Sequence, residues 1–140
     1  MSLFKVFDVA ATALNAQSLR LNLVSSNLAN AESVSSSTGE VYRARHPVFA
    51  AELERAGFGQ DDAVGGVRVL GVIESDAPLR KKHWPGHPQA DENGYVYLPN
   101  VNVVEELANM ISASRSFQTN VEVMNASKQM LTRTLSLGQQ

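Results

Sequence analysis

Residues Leu3–Ala31, LFKVFDVAATALNAQSLRLNLVSSNLANA, carry the pattern on which the fold turns, because Phe7, Leu14, Leu21 and Leu28 recur every seven residues. Leu3, Ala10, Val24 and Ala31 fall on the interleaved row, with Gln17 as its one polar member. Two apolar rows at that spacing make the seam of a coiled coil. The stretch has no Gly or Pro, so it predicts an uninterrupted helix on the order of 40 Å long.

The end of the chain has the same pattern. Val103, Met110, Phe117, Met124 and Leu131 form one heptad row, and Leu107, Val121 and Leu135 the next, with Ser114 and Lys128 as polar members. A second helix is predicted from Val103 to Leu137, with Gly138 where a helix stop belongs. The region between reads differently. Ser35–Gly39 is a polar loop, and Gly57, Gly59, Gly65, Gly66, Gly71, Pro78, Pro85 and Pro88 punctuate short apolar runs. Candidate strands are Val41–Phe49, Val67–Ile73 and Tyr95–Leu98, the last introduced by Asn93-Gly94, a pair suited to a tight hairpin turn.

The expected fold is therefore mainly α with a small β-rich insert. Residues 1–32 and 103–140 form one discontinuous helical domain, an antiparallel coiled coil, and 33–102 the insert of short strands and loops between them. Phe7, Leu14, Leu21, Leu28, Phe117, Val121, Met124, Leu131 and Leu135 are the expected seam between the helices of one chain.

The charges point outward from that seam to a function. Of 12 basic and 14 acidic residues, 18 lie between Glu40 and Glu106, and between Val9 and Ala31 only Arg20 is charged. Ordinary surface helices carry Glu, Lys and Arg on their wet face. Here Ser, Thr, Asn, Gln and Ala stand there instead, side chains that let helices approach closely without the desolvation cost of a buried charge. Two helices cannot cover one another on every side, so other chains are expected to complete the cover. Asn27, Asn30, Arg115 and Asn120 are the expected contacts between chains.

Other chemistry finds little support in the sequence. A net charge of −2 draws the chain to neither nucleic acid nor anionic membrane. The absence of cysteine removes disulfides, thiolate nucleophiles and thiolate metal sites together. His83, His87 and Asp91 stand four apart, a ligand spacing on a helix, but Pro85, Gly86 and Pro88 break any helix there, and a solvated loop is expected. Arg80–Trp84, a short basic run with one aromatic, is expected to be a loop tip touching water or an acidic neighbour. The glycines fit no phosphate-binding pattern, no serine neighbours a histidine, and Asn125-Ala126-Ser127 matches a glycosylation pattern only within the expected helix. No enzyme, cofactor or metal is expected. The first twenty residues carry one lysine with Asp8, Asn15, Gln17 and Ser18, neither a cleaved signal peptide nor a membrane span.

Ser25-Ser26-Asn27-Leu28-Ala29-Asn30, closing the first helix, resembles the signature of the flagellar rod and hook family. Met1-Ser2-Leu3-Phe4 with Phe7-Asp8, Tyr42-Arg43-Ala44, Val72–Ser75, Gly94-Tyr95-Val96, Pro99-Asn100-Val101 and the run Ser112–Asn125 extend the likeness along the whole chain. Many relatives follow the paired asparagines with a Thr-Pro-Gly-Tyr type turn. Ala31-Glu32-Ser33-Val34 and the serine-rich loop resemble the proximal-rod branch instead. The resemblance implies a structural subunit of the basal-body proximal rod, assembling helically through its terminal helices, transmitting torque and serving motility. It further implies type III export without a cleaved signal and a place in the periplasm. Implied partners are copies of itself, other rod proteins, the MS-ring/export-gate adapter at the rod base and the export apparatus, with no nucleic acid and no small-molecule substrate. The competing expectation is a coiled-coil adaptor or secretion chaperone that holds a partner helix.

Overall fold

A computed structural model of the chain describes residues 3–53 and 65–137. Its elements are α1 (Leu3–Asn30), β1 (Arg45–Leu53), β2 (Gly65–Glu74), β3 (Arg80–His83), β4 (Tyr95–Leu98) and α2 (Val103–Leu137). The expected mainly helical fold with a small stranded region is present. Gly57, Gly59 and Gly138, expected at turns and at a helix stop, lie outside the described residues. Among the described residues no helix is long and apolar enough to cross a membrane.

Both long helices end where local chemistry dictates. At the close of α1 the Asn30 side-chain amide folds back on the last turn and donates to the Ser26 carbonyl at 2.8 Å. The Asn30 carbonyl in turn accepts the Ser33 amide and hydroxyl, bending the chain away. Asn102 caps α2, its side-chain oxygen accepting the Val104 amide at 3.2 Å. Glu105 and Glu106 lie in the first turn of α2, where negative charge meets the positive end of the helix dipole.

Two compact units divide the chain: one of Met1–Leu19, Val48–Gly71 and Ser112–Gln140, the other of Arg20–Pro47 and Val72–Ile111. In the first, the buried helical positions are Ala10, Ala16, Ala113 and Ser127. Such small side chains let backbones approach closely. Thr12 of α1 also meets β2, accepting the Val67 amide at 3.1 Å. Gly66 lies beside it, where a Cβ would stand a tight 3.2 Å from the Thr12 hydroxyl.

In the second unit the helices run antiparallel. Arg20 donates to Asn109 at 2.9 Å and Asn27 to Glu106 at 3.1 Å, so partners fall along α2 as they rise along α1. Val24, Asn27 and Ala31 of α1 and Glu106 of α2 are buried. Ala31, Ala44 and Val101 form the apolar centre, with Tyr42 packed against it.

The strands fall into two pairs, β1 with β2 and β3 with β4. Expected strands Val67–Ile73 and Tyr95–Leu98 appear as β2 and β4. The first begins later than expected, at Arg45 instead of Val41, because side chains and not a strand take the backbone there: Asn100 accepts the Ala44 amide and Asn27 the Arg45 amide.

The basic run Arg80–Trp84 needs correction. Arg80–His83 is strand β3, antiparallel to β4 with Arg80 opposite Leu98 and His83 opposite Tyr95. A run of three cations gives no apolar alternation to reveal a strand. The tyrosines of the strand opposite supply what the sequence pattern lacks: the Lys81 ammonium lies 4.0 Å from the centre of the Tyr95 ring and 5.6 Å from that of Tyr97, while Lys82 lies 4.6 Å from the ring of Trp84, just past the end of β3. Asn93-Gly94 does not make a two-residue hairpin, since residues 84–94 connect the strands. Gly94, at φ +77°, closes that connection, its carbonyl accepting the Trp84 amide at 2.8 Å.

Candidate functional site

The densest polar construction is a brace within the second unit, where the chain leaves α1 and enters α2. Asn27 is fully buried. Its amide nitrogen donates to the Arg45 carbonyl at 3.0 Å and to the Glu106 carboxylate at 3.1 Å. Its amide oxygen accepts the Arg45 amide at 2.9 Å and the Tyr42 hydroxyl at 2.8 Å. Two donor hydrogens and two lone pairs are the full capacity of an asparagine side chain. With the Tyr42 proton committed to Asn27, the Ser26 hydroxyl 3.2 Å away is the donor to Tyr42.

Asn100 completes the brace from the other side. Its oxygen accepts the Ala44 amide at 2.8 Å, and its nitrogen donates to the Ser75 and Ala77 carbonyls at 3.0 and 2.9 Å. Arg43 adds a bond to the Ser75 carbonyl, and the Ser75 amide donates to the Ala44 carbonyl. Arg80 reaches from β3 to the Pro99 carbonyl at 3.0 Å and the Ala31 carbonyl at 2.8 Å. The Arg45–Glu74 ion pair, at 3.1 Å, is about half exposed on both sides and adds little. Tyr42, Arg80, Asn100 and Glu106 were not singled out for this role in the sequence. Glu106 in particular counts there as one more charge of the polar middle, and only its burial identifies it as a brace member.

The residues expected to carry assembly are distributed as follows. Phe7, Leu14, Leu21 and Leu28 are half-buried along α1, and Phe117, Val121, Met124 and Leu131 along α2. Full burial goes to other positions, the small-residue rows containing Ala10, Val24 and Ala31 and containing Glu106, Ala113 and Ser127. Leu135 lies outside any buried row, 70% exposed. These rows keep the seven-residue spacing and are built mostly of small side chains. Asn30 and Asn120 are half-buried and Arg115 is exposed. Asn27, expected at a neighbouring chain, has every polar group engaged inside its own.

His83, His87 and Asp91 do not converge. The Asp91 carboxylate accepts the Asn93 and Tyr95 amides, and His87 Nδ1 accepts the Gln89 amide, so two of the three shape the β3–β4 connection. Among the described residues no group of three potential ligands could hold a metal ion. The brace is a structural device: it fixes where α2 starts relative to where α1 ends within this unit.

Along α2 the exposed large apolar side chains are Val103, Val104, Leu107, Ile111, Val123, Met130, Leu135 and Leu137. Comparison with known proteins places this architecture. Residues 7–34 match the family described as flagella basal body rod protein, and residues 92–137 the family described as flagellar basal body rod FlgEFG protein C-terminal. The flagellar basal-body rod protein FlgC of Salmonella typhimurium is 53% identical over 139 residues, covering 99% of this chain and all of its own. FlgC of Escherichia coli O157:H7 is 51% identical over the same coverage, and FlgC of Borreliella burgdorferi 38% identical over 149 residues, 98% of each chain. Two long helices joined through a braced, partly stranded middle, with likeness along the full length of these relatives, make this chain a member of the FlgC family of flagellar basal-body rod proteins.

Proposed function

We propose that the chain is a structural subunit of the proximal rod, built helically from copies of itself and other rod proteins through its terminal helices, and that it transmits torque along the drive shaft. One observation carries the reading: α2 exposes eight large apolar side chains from Val103 to Leu137. Water is a poor environment for such a surface, and neighbouring subunits would remove it from water at roughly 25 cal/mol per Å² of apolar area. Residues 1–32 and 103–140 serve as assembly segments and 33–102 as the insert. Asn30, Arg115 and Asn120 serve as polar contacts to neighbours, while Asn27 holds the chain's own brace. The half-buried rows on α1 and α2 join the helices of one chain. The rod lies in the periplasm, is reached through the type III export apparatus without a cleaved signal, and meets the MS-ring/export-gate adapter at its base. The role is mechanical, not enzymatic.

Removing about ten residues from either end tests this, since ten residues are roughly 15 Å of helix and of contact surface. The truncated chains are expected to stay soluble but to be missing from isolated basal bodies, with motility lost. Full incorporation and normal swimming would overturn the reading. Circular dichroism separates it from a chaperone or adaptor, which would be as helical alone as with its partner, whereas a rod subunit gains helix on assembly.

A further inference from the structure

The apolar side chains left exposed on α2 fall into two groups with different electrostatic surroundings. Near its start, Val104, Leu107 and Ile111 are 76, 46 and 56% exposed, at the spacing i, i+3, i+7 that places them on one helix face. Near its end, Val123, Met130 and Leu137 are 39, 52 and 74% exposed and repeat every seven residues. A heptad row belongs against another helix, where each side chain enters a gap between residues of the facing surface. The first group has Glu105 exposed beside it and no Lys or Arg from Val103 to Ser114; the second has Lys128 and Arg133 exposed beside it and no Asp or Glu from Val123 to Leu137.

We propose that these faces are the two halves of one contact between copies of this chain, the end of α2 in one copy lying along the start of α2 in the next. The inference rests on the assembly reading above and names its partner surface. Charge selects this pairing: start against start sets Glu105 against Glu105, end against end sets Lys128 and Arg133 against themselves, and start against end matches acid with base. With the two helices running in the same direction and staggered, the contact joins two different surfaces, so it leaves a free start and a free end on each pair and propagates instead of closing. Val104 then stands opposite Met130 and Ile111 opposite Leu137, seven residues further along both helices; Val104 against Met130 sets a branched side chain against a flexible one, a combination that fills irregular gaps.

The chain has no cysteine, so engineered thiols report the contact directly. The variants are Val104→Cys, Met130→Cys and the double variant, expressed as full chains and oxidised in isolated basal bodies. The double variant is expected to give a ladder of disulfide-linked chains, the two single variants mixed together a linked dimer, and each single variant alone none. Ile111→Cys with Leu137→Cys, at the same stagger along the two helices, serves as a second pair. In parallel, Glu105→Arg or Arg133→Glu is expected to lower incorporation about five-fold, in the range of an ion pair worth up to about 1 kcal/mol, and the double reversal to restore it. Linking of a single variant to itself would mean a closed, twofold contact and overturn the inference. So would chains that enter the basal body but give no ladder with either pair. Absence of the unaltered chain from basal bodies would sink the assembly reading itself.

Discussion

Asn27 and Glu106 stand 79 residues apart in sequence, on different helices, and meet in a 3.1 Å hydrogen bond from amide to carboxylate. Both side chains are buried, and the bond is one of four by which Asn27 joins α1 to the start of β1 and to α2. A buried polar network of this kind is stabilising only while every member is satisfied. Its consequences for single substitutions are therefore sharp.

Asn27→Ala strips the Arg45 amide and carbonyl, the Tyr42 hydroxyl and Glu106 of their shared partner. Buried polar groups left unsatisfied cost about 1–3 kcal/mol each, with partial relief from water, so a loss on the order of 3 kcal/mol is expected. Asn27→Asp is expected to be worse, since it sets a second carboxylate against Glu106. Adding Glu106→Gln to Asn27→Asp restores a donor facing an acceptor, and part of the stability should return. Urea unfolding midpoints measure the series. A double variant no better than Asn27→Asp alone would show that the two side chains do not communicate.

Arg80 and its neighbours Lys81 and Lys82 look alike in sequence and should behave differently on replacement. Arg80 holds two backbone carbonyls through its guanidinium, whereas the two lysines lie exposed over aromatic rings. Arg80→Met is expected to cost about 1–3 kcal/mol, because bonds donated by a charged group are the stronger ones. Lys81→Ala and Lys82→Ala should each change stability by no more than about 1 kcal/mol, the scale of an exposed cation–ring contact. Thermal or urea unfolding of the three variants ranks them. Equal losses would return the run to an undifferentiated basic surface.

Gln17 interrupts the row of Ala10, Val24 and Ala31, and its side-chain oxygen is buried with no hydrogen-bond partner among the described residues. Gln17→Leu removes that unsatisfied acceptor and keeps the seven-residue repeat. A gain of about 1 kcal/mol is expected, seen as a higher unfolding midpoint. A fall in the midpoint would mean that the oxygen is satisfied or that the site cannot accept a branched side chain.

Much of the architecture was legible in the amino acids because helices and seams depend on local spacing. The heptad rows and the lack of Gly and Pro predicted helices over Leu3–Ala31 and Val103–Leu137, and the structure has α1 at Leu3–Asn30 and α2 at Val103–Leu137. Tyr95–Leu98 was likewise visible through its short apolar run after Asn93-Gly94. The expected strand at Val41–Phe49 missed its start because Asn27 and Asn100, 17 residues before and 56 after Ala44, take the backbone amides of Ala44 and Arg45. β3 was hidden because its stability lies in the tyrosines across the ladder and not in its own three cations.

What the chain's composition determined by itself was the presence of two long, charge-poor helices flanking a polar middle, since periodicity and charge are properties of neighbours along one strand of residues. Which row of each helix turns inward was decided only in three dimensions. Small residues, Ala10, Ala16, Ala113 and Ser127, are buried while larger ones such as Leu107 and Leu135 stand exposed, because a position pressed against a neighbouring backbone rewards a small side chain. The role of Glu106 was decided in the same way: a carboxylate is buried only where a donor waits for it, and that donor comes from the opposite end of the sequence.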